Sequence, residues 1–104
     1  MIEVNSFAEL RTTMPSKPGE IAVLKRYYDK DSSFRGGGDF VGFTGTTILK
    51  DDGGTVAIGN GFYWKRSIND PREVNILHFG AKGDGVTDDT DAFKRILGWS
   101  QTYS

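Results

Sequence analysis

The sequence contains no cysteine, no long apolar run and no excess of charge of either sign. The first absence rules out a disulfide framework and a thiolate metal site. The second leaves nothing near the ~18 apolar residues that a membrane-crossing helix requires. The N-terminus, MIEVNSFAEL, carries acids where an export signal needs bases, and it has no apolar centre. As for charge, 13 Lys+Arg stand against 14 Asp+Glu, a net of −1. That balance gives no electrostatic basis for holding nucleic acid or an anionic membrane. Nor does it hide two opposed halves: residues 1–70 carry 9 basic and 9 acidic side chains, and residues 71–104 carry 4 and 5. The expectation is a soluble, cytoplasmically made chain whose partners are neither nucleic acid nor membrane.

Glycine is what the chain has in excess. Its 14 glycines in 104 residues are about twice the average usage of roughly 7 %, which favours tight turns and short strands. NSFAELRTT places Ser6 and Glu9 at the S-x-x-E spacing of a capping box. With Phe7 and Leu10 on one face, it predicts a short helix over about 7–12, closed by the PSKPG turn. EIAVLKRYYD has apolar residues at both parities and reads as a strand covered on two sides. SSFRGGGDFVGF puts three consecutive glycines, 36–38, before an apolar run. They permit unusual backbone angles or a close approach of another chain. A phosphate-binding loop is excluded for want of G-x-x-x-x-G-K-[ST].

TTILKDDGGTVAIGNGFYWKRSI reads as strand, turn, strand, turn, strand, with DDGG and GNG at the turns. Asp51 and Asp52 lack the spacing of a calcium loop. GFYWKR is expected to bury one or two aromatics and to leave its cations in water. Residues 1–70 are therefore expected to form a small, mostly β unit, with 9 of the 13 aromatics. A unit this small is marginal alone, which favours oligomerisation. NDPREV reads as a linker, and VNILHFG after it as an apolar strand.

The acid-rich run FGAKGDGVTDDTDAF decides between chemistry and architecture. Gly80, Gly83 and Gly85 bracket Asp84 in a tight turn, where the carboxylate folds back on local amides. Thr87 or Asp88 then precedes Phe93, Ile96 and Leu97 at helical spacing. Asp88, Asp89 and Asp91 fall at the N-cap and first turn, each stabilising by roughly 0.3–1 kcal/mol through the helix dipole. Catalytic carboxylates need burial or a partner to shift their pKa values, and the sequence supplies neither. The reading is a structural turn and helix cap, with no catalytic, cofactor or metal residue. Phe93, Ile96 and Leu97 are the candidate packing face.

VNILHFGAKGDGVTDDTDAFKRIL resembles the opening segment of pectate-lyase-like right-handed parallel β-helices. Phe79, Gly80, Ala81, Gly83, Asp84, Gly85, Thr87, Asp88, Asp89, Thr90 and Ala92 carry the match. His78 departs from the acid often found before the Phe. The resemblance implies a strand leading into a short helix that caps a β-helix, here truncated. Upstream, the short helix followed by GGGDFV, DDGGTVAI and GFYWKR resembles the N-terminal head domain of bacteriophage tailspikes.

The implied organisation is mainly β. A head or virion-anchoring domain spans 1–70, and a neck with the β-helix cap spans 71–104. The chain would be a homotrimer in the virion, attached to the phage tail, its baseplate or another tailspike, and would carry no catalytic residue of its own. Host surface polysaccharide would be met, and cleaved by a depolymerase, only further downstream. Three rival readings stay open: the start of a secreted polysaccharide lyase or hydrolase, a carbohydrate-binding module using Tyr63 and Trp64, and a spike adaptor.

Overall fold

The computed structural model describes residues 2–29, 36–68, 74, 76–80 and 89–103. In chain order the elements are β1 (Ile2–Val4), α1 (Phe7–Leu10), β2 (Ile21–Leu24), β3 (Gly38–Thr44), β4 (Val56–Ile58), β5 (Phe62–Arg66), a 3-10 turn (Ile76–Phe79) and α2 (Thr90–Tyr103). The strands form one sheet in the order β1-β2-β3-β5-β4. β1 runs parallel to β2, with Ile2 opposite Ala22. The other pairs are antiparallel, Phe40 standing opposite both Ala22 and Arg66.

Strand alternation sends one set of side chains to a common face. Val4, Ala22, Leu24, Phe40, Ala57, Phe62 and Trp64 are buried there beneath Phe7 and Leu10 of α1. Phe7 stacks on Tyr27 at 5.0 Å and meets Phe40 edge-on at 5.9 Å. The Trp64 indole lies over Gly42, where a Cβ would strike it and Pro15. Its Nε1 donates to the Thr13 carbonyl at 2.8 Å. The opposite face carries Val23, Val41, Phe43 and Tyr63, partly buried, and the exposed Ile21. β2 is thus covered on one side, not two, because the packing elements of the core gather on the face that α1 occupies.

The Ser6 half of the capping box forms, and the Glu9 half shifts by one residue. Ser6 Oγ accepts from the Glu9 amide at 3.1 Å, and the Glu9 carboxylate accepts from Asn5 at 2.7 Å, one residue earlier than a symmetrical box.

The strand expected near residues 46–50 does not form, and Ile48 there is 99 % exposed. Side chains have taken the ladder position it would need. On the outer side of β4, the Val56 amide donates to Asp52 Oδ1 at 2.9 Å and the Ile58 amide to Asp51 Oδ2 at 3.0 Å. Asp52 Oδ1 also accepts from Gly54 and Thr55 at 2.9 and 2.6 Å, and its other oxygen accepts from the Thr55 hydroxyl. Arg11 grips Asp51 with two N–H groups at 2.7 and 2.9 Å. Burial pushes the Asp51 carboxyl up, but Arg11 and the Ile58 and Gly53 amides outweigh it and hold it below the usual range. DDGG is therefore a turn that also closes a sheet edge.

Candidate functional site

The run opened by VNILHFG was expected to be a strand. Residues Ile76–Phe79 instead form a 3-10 turn, in which the Gly80 amide donates to Leu77 O at 3.2 Å. Among the described residues no strand lies alongside to receive a ladder, so the backbone closes on itself. The turn carries Phe79 into the body of the protein at 0 % exposure. Its ring fills the place where Gly54 has no side chain; any Cβ at 54 would overlap it.

Around Phe79 a joint is built between the sheet and α2. Ala92 is buried against it, with Val74, Leu77, Ile96 and Trp99 packed around. Trp99 lies 6.4 Å away, ring to ring. Arg95 reaches back from α2 to donate to Phe79 O at 2.6 Å. Tyr27 and Tyr28, just after β2, donate their hydroxyls to Gly53 O and Gly80 O at 2.7 and 2.8 Å. Gly80 has φ +97° and no room for a side chain beside those two rings, so only glycine suits it. Burial raises the Tyr27 hydroxyl above its ordinary pKa, which keeps it a donor at neutral pH.

Arg66, at the end of β5, was expected in water with Lys65. It is buried at 8 % exposure. Its Nε donates to Gly54 O at 2.8 Å, and its terminal nitrogens donate to Gly37 O at 2.7 Å and Gly36 O at 3.2 Å. The guanidinium also sits 4.7 Å over the Phe40 ring. Burial lowers its pKa to about 10, offset in part by Asp52 and Tyr27, and it stays a cation at neutral pH. The triple glycine thus serves an approach within one chain: 36 abuts the Leu77 carbonyl, 37 the Leu24 and Lys25 carbonyls, and 38 the Arg66 guanidinium. Alternation could have found Arg66, since it shares parity with Phe62 and Trp64.

Of the residues singled out from sequence, Gly83, Asp84, Gly85, Thr87 and Asp88 lie outside the described residues, as does the domain boundary at residue 70. Asp89 precedes α2, and its carbonyl accepts from the Phe93 amide at 3.1 Å. Of the expected packing face, Ile96 turns inward, while Phe93 and Leu97 are each 57 % exposed. Ala92, Ile96 and Trp99, at i, i+4 and i+7, make the inner stripe. Trp64 is sealed in the core and Tyr63 stacks on Phe43 at 5.0 Å, which removes the indole as a sugar platform. Among the described residues no group of three or more His, Asp or Glu could hold a metal. Among them, too, no helix is long and apolar enough to cross a membrane.

Residues 3–70 match the family described as phage tail protein small four-stranded beta-sheet domain. Four strands agree in number with the antiparallel set β2 to β5, to which β1 adds in parallel. Over 100 residues the chain is 39 % identical to the Mu-like prophage FluMu defective tail fiber protein of Haemophilus influenzae, covering 94 % of this chain and 15 % of that one. It is similar to Pantoea stewartii WceF, described as a glycan biofilm modifying enzyme with a bacteriophage tailspike-like parallel beta-helix fold. The TM-score is 0.88 at 36 % identity, over 98 % of this chain and 14 % of that one. The enzymatically active domain of tailspike protein 2 of bacteriophage CBA120 gives a TM-score of 0.82 at 34 % identity, over 93 % of this chain and 14 % of that one. The chain spans 13–15 % of the length of the curated relatives it matches. The family match over residues 3–70, with the likeness to tailspikes and to a tail fiber protein, places the chain in the phage tail protein small four-stranded beta-sheet domain family, as a structural N-terminal module of the virion tail.

Proposed function

We propose that this module fixes a downstream, glycan-acting β-helix to the phage tail or baseplate, or to another spike, and sets the direction in which that β-helix points. The head comprises residues 1–70 and the neck residues 71–104. The observation that carries this reading is the joint: Phe79, Arg95 and Tyr28 tie α2, through the 3-10 turn, to the sheet by packing and by two side-chain hydrogen bonds. An attachment module must transmit position, and a helix held at several points transmits it better than a free linker. The similarity to WceF extends across the joint, over 98 % of the chain.

The module itself is structural; the reaction belongs to the parent, a polysaccharide depolymerase of hydrolase or lyase type. The chain acts as a homotrimer, in which the outward Phe93 and Leu97 of α2 meet neighbouring copies. Gly80 closes the 3-10 turn, and Asp89 stands at the start of α2 as its cap. A second reading is favoured by the likeness to WceF, a bacterial glycan-modifying enzyme: the same module would then begin an enzyme that no longer serves a virion.

The test uses this chain fused to a fluorescent protein, produced in cells assembling a related phage that lacks its own spike. Attachment predicts fluorescence co-sedimenting with tailed particles. Fluorescence left wholly in the soluble fraction would reject it. The same purified chain is expected to leave capsule or lipopolysaccharide chain length unchanged.

A further inference from the structure

A cavity of about 260 Å³ opens between Gly37–Asp39 at the start of β3, Arg66–Ile68 at the end of β5, Val74 and His78. Arg66 forms its inner wall. A guanidinium has five N–H donors, one on Nε and two on each terminal nitrogen. The carbonyls of Gly54, Gly37 and Gly36 take one from each nitrogen. One N–H on each terminal nitrogen is left without an acceptor among the described residues. No carboxylate among them contacts this cation either; Asp52, which favours its charge through space, spends its own oxygens on Gly54, Thr55 and Val56. A buried charge with no counter-ion among the described residues is a costly arrangement, and a group of opposite charge that reaches it recovers that cost.

The other walls narrow the choice of ligand. Asp39 lines the mouth, but it is exposed and screened by water, whereas Arg66 is not. An acid at the mouth works against a dianion more than against a monoanion. Ser67, exposed, also lines the cavity. His78 is half-buried, and burial with the nearby Arg66 charge lowers its pKa to about 4. It is neutral at pH 7, so the positive charge among the lining residues is that of Arg66. The volume falls just short of the ~300–1,000 Å³ of sites for drug-sized ligands, and suits a small group entering end-on.

We propose that this cavity binds a carboxylate group, held by the two remaining N–H groups of Arg66. The inference stands apart from the attachment reading. Two sources carry that chemistry, a free small carboxylate and a glutamate or aspartate side chain of a partner protein, and the experiment separates them. The Arg66 Nε–H and the Gly37 and Gly38 amides are followed by 15N NMR at constant ionic strength. Sodium acetate, a blocked Gly-Glu-Gly peptide, phosphate and chloride are added in turn. Acetate is expected to saturate, roughly tenfold tighter than phosphate or chloride. Saturation by acetate and peptide alike supports the site with an acidic side chain as its source; saturation by acetate alone supports it with a free carboxylate. Arg66→Gln should abolish saturation. Ile68→Trp, which fills the cavity without removing the cation, should do the same in a chain with unchanged far-UV dichroism. Equal, non-saturating shifts with acetate and chloride would overturn the proposal. So would acetate saturation that survives Ile68→Trp.

Discussion

Arg66 joins three segments that are distant in sequence, because its donors reach carbonyls of residues 36, 37 and 54. Each buried carbonyl deprived of its donor costs about 1–3 kcal/mol, part of which water recovers. Arg66→Met keeps the apolar stem and removes every donor. It is expected to lower stability by about 2–4 kcal/mol in urea unfolding, and a loss under about 0.5 kcal/mol would show that the carbonyls rehydrate freely. His78 offers a second test at this scale. Its folded pKa is about 4 against an ordinary 6.5, so the fold favours the neutral ring. Stability from this source is therefore complete above about pH 6.5 and is lost as pH falls toward 4, where the unfolded chain already holds the extra proton. His78→Gln is expected to flatten that part of the stability profile, and an unchanged slope would place the titration elsewhere.

Among the elements, α2 depends most on its surroundings. Its 14 residues are close to the ~12–15 below which an isolated helix is marginal, so Phe79 and the tyrosine contacts decide whether it holds. Gly54→Ala puts a methyl group into the Phe79 ring. It is expected to lower the melting temperature and to raise amide exchange in α2 before exchange rises in β3 and β5. Simultaneous exchange in all three would mean that joint and sheet open as one unit. At the start of the helix, the proposed cap predicts that Asp89→Ala costs about 1 kcal/mol. Near its end, Gly98→Ala should add about 0.5–1 kcal/mol, since a Cβ there meets nothing.

What could be read in advance follows from range. Ser6–Glu9 and the helix of FKRIL are local, and their period and caps spell them out. Arg66 was missed because a cation at a strand end usually reaches water, and only Gly36, Gly37 and Gly54, brought close by folding, make burial tolerable. The 3-10 turn at Ile76–Phe79 was read as a strand for the same reason: a short run dominated by Ile76, Leu77 and Phe79 fits either state until a partner strand is present or absent. Phe93 and Leu97 have the same helical spacing as the true inner stripe, and only the position of Phe79 shows which stripe faces in.

For the whole molecule, the open side of α2 bears on assembly. A small module exposing Phe93, Leu97 and Ile48 gains by covering them, and closed cyclic symmetry covers all copies at once. Sedimentation equilibrium at tens of micromolar is expected to give about three times the 11.5 kDa chain mass. Phe93→Asp with Leu97→Asp should shift the population to monomer. A double variant that remains trimeric would move the interface to the sheet.

The carboxylates of Asp51 and Asp52 bear on crowding at the surface of a particle. Where copies of one module meet in a cluster at high local density, an open strand edge would stitch neighbours together. On β4 the two outward amides are already engaged, and Arg11 keeps Asp51 charged below the usual carboxylate range. Copies pressed together along that edge find side chains instead of a ladder. Their spacing is then governed by faces that sequence can tune, and a mildly acidic medium does not turn the cluster into a continuous sheet.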